Sequence, residues 1–123
     1  MLRPDHDWVR VYCDTTAEAD ALRQDYRFVA PILLRAFRAM VREKRGSVVL
    51  MEFVVNGQLK PTYLAVRWAG LEAAIDKCVS ELELLEDFEE CGALLAVKRA
   101  AREAEDAGTA PPASRAGHVK VLA

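Results

Sequence analysis

The side chains best spaced to act together are Arg35, Arg38, Arg42 and Arg45. At 100° per residue they fall within about 80° of helix circumference, a single stripe, with Leu33, Phe37, Met40 and Val41 on the opposite side. Four guanidinium groups in a row can track nucleic-acid phosphates, each contact adding counterion release and salt dependence. They can equally take carboxylates in the bidentate geometry that arginine favours. The chain itself offers such a complement in the acidic run Glu81, Glu83, Glu86, Asp87, Glu89 and Glu90. No Lys/Arg-Gly-aromatic signature, GxxG loop, zinc knuckle or recognition-helix pattern accompanies the arginines, and the isoelectric point is near 5.7. Nucleic acid is therefore the secondary partner class, behind an acidic protein surface. An ordinary solvated helix face is the reading favoured over both.

Glu52 is the second candidate, the one charged group within the apolar run Val48–Val55. A carboxylate there must be paired, hydrated or protonated. Strand alternation places Tyr63 and Arg67 on its face, so Glu52, Tyr63 and Arg67 form either a small polar pocket with an acid/base carboxylate or a cross-strand Glu52–Arg67 pair. No nucleophile or second carboxylate is placed beside them, which favours the pair and argues against an enzyme. His6 and His118, the only imidazoles, lie near the ends among polar residues and resemble neither a base nor a metal ligand. Cys13, Cys78 and Cys91 are odd in number and far apart, giving no disulfide framework and no CxxC knuckle. Cys13, ahead of a helix start, is the best placed of them for a lowered pKa, but no histidine accompanies it. Nothing matches GxxxxGK or GxGxxG. No metal and no cofactor are expected.

Composition bounds the rest. The 123 residues, 52% hydrophobic and 29% charged, suffice for one core. The net charge of −2 hides a split: residues 1–70 carry 11 basic and 8 acidic side chains, residues 71–106 carry 4 and 11. Such asymmetry allows head-to-tail or two-fold charge pairing between copies of the chain, but it also arises from ordinary solvated helix faces, the reading that the weakness of surface charge pairs favours. The first residues lack the apolar run of a signal peptide, and no later run reaches the roughly 20 residues needed to span a bilayer. A cytoplasmic protein without a membrane partner is expected.

The elements that must position these groups can be read from periodicity. Residues 7–13 alternate as a short strand. Thr15-Thr16-Ala17-Glu18 matches a capping box, followed by apolar residues at Ala19, Leu22, Tyr26, Val29, Leu33, Phe37 and Met40. Pro31 interrupts this helical region, implying a kink or two helices with Pro31 in the first turn of the second. Gly46 is placed to end it. Residues 47–68 read as a β-hairpin with its loop at Asn56–Pro61, one face carrying Val49, Met51, Phe53, Val55, Leu64, Val66 and Trp68. The other face carries Val48, Leu50, Glu52, Val54, Tyr63, Ala65 and Arg67, too apolar for plain solvation, so something is expected to cover it. A second helical region buries Ile75, Cys78, Leu82 and Leu85, then drifts to an offset series of Leu84, Phe88, Cys91 and Leu95, with Gly92 as a possible bend.

These elements define an α+β, two-layer fold: a small antiparallel sheet, one strand plus the hairpin, against two long helical segments, in the order β-α-β-β-α with an optional last strand at residues 118–122. Residues 1–106 form the expected compact domain, and 107–123 a Pro/Ala/Ser-rich linker with a tail or edge strand. The element order resembles the ferredoxin-like βαββαβ arrangement, in order only and with no shared motif. The leading functional expectation is a non-enzymatic interaction or adaptor protein that pairs with itself, as a homodimer, through Leu50, Val54 and Tyr63 of the second sheet face or through Phe88 and Leu95 of the last helical stripe.

Overall fold

The computed structural model describes residues 8–111 and the backbone of residues 120–121. Strand β1 (Val9–Cys13) is followed by helices α1 (Thr16–Arg23) and α2 (Tyr26–Glu43), strands β2 (Ser47–Val55) and β3 (Thr62–Arg67), and a 3-10 turn at Trp68–Gly70. Helices α3 (Leu71–Leu84) and α4 (Phe88–Asp106) and the two-residue strand β4 (Lys120–Val121) complete the order. This is the α+β architecture expected: a small sheet in spatial order β1-β2-β3-β4, with helices over one face.

The sheet is mixed rather than antiparallel. β1 runs parallel to β2, in register Val9↔Met51 to Cys13↔Val55, because two helices rather than a tight turn return the chain. β2 and β3 form the antiparallel hairpin, and β4 adds parallel to β3 with Leu64 opposite Lys120. Parallel neighbours β1 and β2 leave no gap for another strand between them, so the likeness to the ferredoxin-like order does not extend to topology, which there rests on a split βαβ unit. His6, the linker at 112–117, His118 and Leu122 lie outside the described residues.

The start of α1 follows the sequence; the starts of α2 and α4 and the helix ends do not. Thr15 caps α1, its Oγ1 accepting from the Glu18 N–H at 3.1 Å, while Glu18 reaches back to the N–H of Asp14. The first helical region breaks at Gln24–Asp25 instead of at Pro31, which sits exposed inside α2. α2 ends on Lys44, with φ +54, and the Arg45 N–H returns to the Met40 carbonyl. α3 ends likewise on Glu86, with φ +59: the N–H groups of Glu86 and Asp87 bond the carbonyls of Glu83 and Leu82. Both ends are Schellman-type closures carrying a non-glycine residue in the left-handed region. Gly46 and Gly92 end nothing; Gly92 lies in the middle of α4.

One core joins the inner sheet face to the helices. Phe37, Met40, Met51, Phe53, Ile75, Leu82 and Leu94 are fully or almost fully buried within it. Fully burying side chains of this size contributes about 1.5–3 kcal/mol each, before the entropy of ordering them. α3 and α4 pack antiparallel, tied on their outer side by Lys98–Asp76 at 2.6 Å and by Arg102–Glu72. Trp68 turns into this layer, its Nε1 donating to Glu105 at 3.1 Å. Leu85, read as core from its spacing, is instead the C-cap residue of α3 and 36% exposed.

Candidate interaction surfaces

A bulge decides which side chains reach the open face of the sheet. The β2–β3 register slips between Val49 and Met51, so Leu50 has no partner on β3 and points the same way as Met51. Strict alternation therefore fails over the first half of β2. Val48 and Leu50 join the helix-covered core, Leu50 at 1% exposure, while Val49 turns to the open side opposite Ala65. Leu50, expected at an interface, is a core residue. Val54 and Tyr63 remain on the open face and are half-buried.

On that face Glu52 is closed over by its own chain. Trp8 Nε1 donates to Glu52 Oε1 at 2.9 Å and Arg10 Nε to the same oxygen at 3.1 Å. The Trp8 and Tyr63 rings stand edge to face at 5.9 Å, leaving Glu52 5% exposed. A hydrogen bond with Tyr12 and then one with Glu52 hold the Arg10 guanidinium above its ordinary pKa. The expected Glu52–Arg67 pair does not form, because Arg67 lies opposite Ser47 at the other end of the hairpin. Arg10 and Trp8 replace it, brought to Glu52 by the parallel register Arg10↔Glu52. The cover sought for this face is thus supplied in part by Trp8 and Tyr63, while Tyr12 stays 70% exposed.

The arginine stripe lies on a groove of about 590 Å³ that runs along α2. Its basic side is Arg35, Arg38, Arg42 and Arg45, and its apolar wall includes Leu34, Val48 and Leu50. Arg45 reaches it from beyond the end of the helix, where it pairs with Glu43 at 2.7 Å; Arg42 meets the same carboxylate at 3.2 Å. That pairing holds Glu43 below its ordinary pKa, Arg42 first. Arg35 and Arg38 are exposed and, among the described residues, enter no ion pair. Glu90, from the first turn of α4, lines the same groove. Neither this groove nor the two smaller cavities, one beside α1 and one at the start of α2, is lined by Glu52, Tyr63 or Arg67.

The third surface is the corner between α3 and α4. Leu84 is 79% exposed, Phe88 63% and Leu95, two turns into α4, 43%. Burial along α4 follows Cys91, Leu94, Val97 and Ala101, so the offset series Leu84, Phe88, Leu95 faces outward, Cys91 excepted. Glu83, Glu86 and Glu89 are exposed around it. Asp87 accepts from the Glu90 N–H at 3.3 Å and so caps α4.

The three thiols are free and buried. Burial raises the pKa of Cys13 and of Cys91, and pushes Cys78 up to about 12. The lowered pKa considered for Cys13 is thus reversed: it is 4% exposed, and Glu18 and Asp14 add to the rise. Among the described residues no three His, Cys, Asp or Glu side chains converge as metal ligands, and no helix is long and apolar enough to cross a membrane. Comparison with protein-family models, with curated proteins and with solved structures gave no significant match.

Proposed function

We propose that this chain is a small, non-enzymatic interaction protein of the cytoplasm that self-associates as a homodimer. The observation that carries this reading is the outward series Leu84, Phe88 and Leu95, large apolar side chains left in water on one end of the molecule. A patch of that kind, rimmed by carboxylates, is the signature of a protein contact. Three free thiols suit a reducing compartment. The polar cluster on the open sheet face speaks against catalysis, since the Glu52 carboxylate is engaged by Trp8 and Arg10 and is buried. Light-scattering mass after size exclusion tests the reading: twice the chain mass of 13.7 kDa is expected, falling to a single chain in a Phe88→Ser, Leu95→Ser variant that keeps its helical circular dichroism. A wild type of single-chain mass at every concentration would refute it.

A second reading, nucleic-acid binding, is favoured by Arg35 and Arg38 standing exposed without ion pairs. It predicts binding that weakens steeply with salt and that is lost in an Arg38→Ala, Arg42→Ala variant. Unchanged binding in that variant would remove the stripe from consideration.

A further inference from the structure

We infer that the groove along α2 is the receptor for the acidic α3–α4 corner of a second copy of this chain, an inference that rests on the self-association reading above. The two surfaces are complementary in charge and in polarity. The groove offers Arg35 and Arg38, free of ion pairs among the described residues, beside the half-buried apolar side chains of Ile32 and Val48. The corner offers Leu84 and Phe88, 79% and 63% exposed, flanked by Glu86 and Glu89, which also form no ion pair among the described residues. An apolar crest with a carboxylate on each side fits an apolar wall with guanidinium groups along its rim, each arginine able to take a carboxylate in bidentate fashion.

The occupant is a copy of the chain rather than a nucleic acid because the chain as a whole is acidic, with an isoelectric point near 5.7, and its corner carries exposed apolar side chains as well as carboxylates. Glu43 already occupies Arg42 and Arg45, which leaves Arg35 and Arg38 to take the carboxylates of a partner. Glu90, in the first turn of α4, lines the groove, while Phe88, two residues before it, points to another side of that helix. In a closed two-fold pair each copy inserts its corner into the groove of the other, so that both contacts form together. Opposite charge brought together in this way steers encounter and fixes orientation, while the buried Leu84 and Phe88 supply the apolar area.

Charge reversal in two separate chains tests the contact. An Arg35→Glu, Arg38→Glu variant and a Glu86→Lys, Glu89→Lys variant each place like charges in both contacts of their own homodimer. Mixed one to one, they restore opposite charge in both contacts of the heterodimer. Light scattering should give single-chain mass for each variant alone and twice that mass for the mixture, with far-ultraviolet circular dichroism unchanged throughout. Variants that stay dimeric, or a mixture that stays monomeric, overturn this docking while leaving self-association by another surface. A wild type that is monomeric refutes the reading on which the inference rests. Association of the wild type only through copurified nucleic acid, stripped by salt, also overturns the docking.

Discussion

The open face of the sheet and the groove along α2 both present arginine beside apolar side chains, yet they differ in what the chain has done with its charges. On the sheet, Glu52 receives two donors from β1 and its flank and lies under a Trp8–Tyr63 edge-to-face pair. Along α2, Arg35 and Arg38 donate to no carboxylate among the described residues. A buried carboxylate must be satisfied within the fold, or its desolvation is uncompensated. An exposed guanidinium is satisfied by water and stays available. The lesson is that a polar group in an apolar strand is weak evidence for a site when neighbouring strands can reach it, whereas unpaired charge beside an apolar wall is open to a partner.

Substitutions at Leu50, Glu52, Cys78 and Glu86 probe that contrast in decreasing order of expected effect. The largest effect is expected at Leu50. Placing a carboxylate there with Leu50→Asp removes a buried leucine, a change worth about 2–5 kcal/mol for truncation alone, and adds an unpaired buried charge. Denaturant titration should show loss of the cooperative transition. A folded variant that merely fails to dimerise would return Leu50 to the interface and the bulge to error.

Glu52→Ala comes next. It strips the acceptor from Trp8 Nε1 and Arg10, and a destabilisation of about 1–3 kcal/mol is expected by urea unfolding. No change would mean that the sheet-face cluster is decorative. The thiols give a pH signature of comparable size. Cys78 ionises at about 12 in the fold against 9.0 as its ordinary value. Its contribution is therefore whole below pH 9.0 and is lost as pH rises toward 12, the unfolded state releasing its proton first. Stability should fall across that window by up to about 1.4 kcal/mol per pH unit for this group. Replacing Cys78 by Ala should flatten the fall in a pH series of melts.

The smallest effect is expected at Glu86. Its left-handed conformation, φ +59, suits glycine, so Glu86→Gly should raise stability by a few tenths to about 1 kcal/mol. A loss instead would show that the side chain holds the corner in place.

How much of this was legible in sequence follows from the same features. The Thr15 cap, the stripe from Ala19 to Met40 and the hairpin were readable because capping chemistry and periodicity act locally. The ends of α2 and α3 were not, since Lys44 and Glu86 occupy the left-handed position where glycine is the usual sign. Pro31 and Gly92 pointed to breaks that the packed helices do not make. Leu50 was misplaced because a bulge leaves no mark in the apolar stretch Val48–Met51, where no polar residue reports the face. The partner of Glu52 was missed for another reason: parallel pairing of β1 with β2 is set by tertiary packing, and only that register brings Arg10 rather than Arg67 alongside. The arginine stripe and the acidic run were both visible. Their division into a groove and an exposed corner required knowing which face of α4 the core takes.

An isotope-filtered nuclear Overhauser measurement on a one-to-one mixture of labelled and unlabelled chains decides whether the corner of one copy docks in the groove of another. Intermolecular contacts between the Phe88 ring of one copy and the methyl groups of Ile32 or Val48, which line the groove of the other, are the predicted result. Intermolecular contacts that instead join Tyr12 or Val54 across the open sheet faces, with none at Phe88, would contradict it.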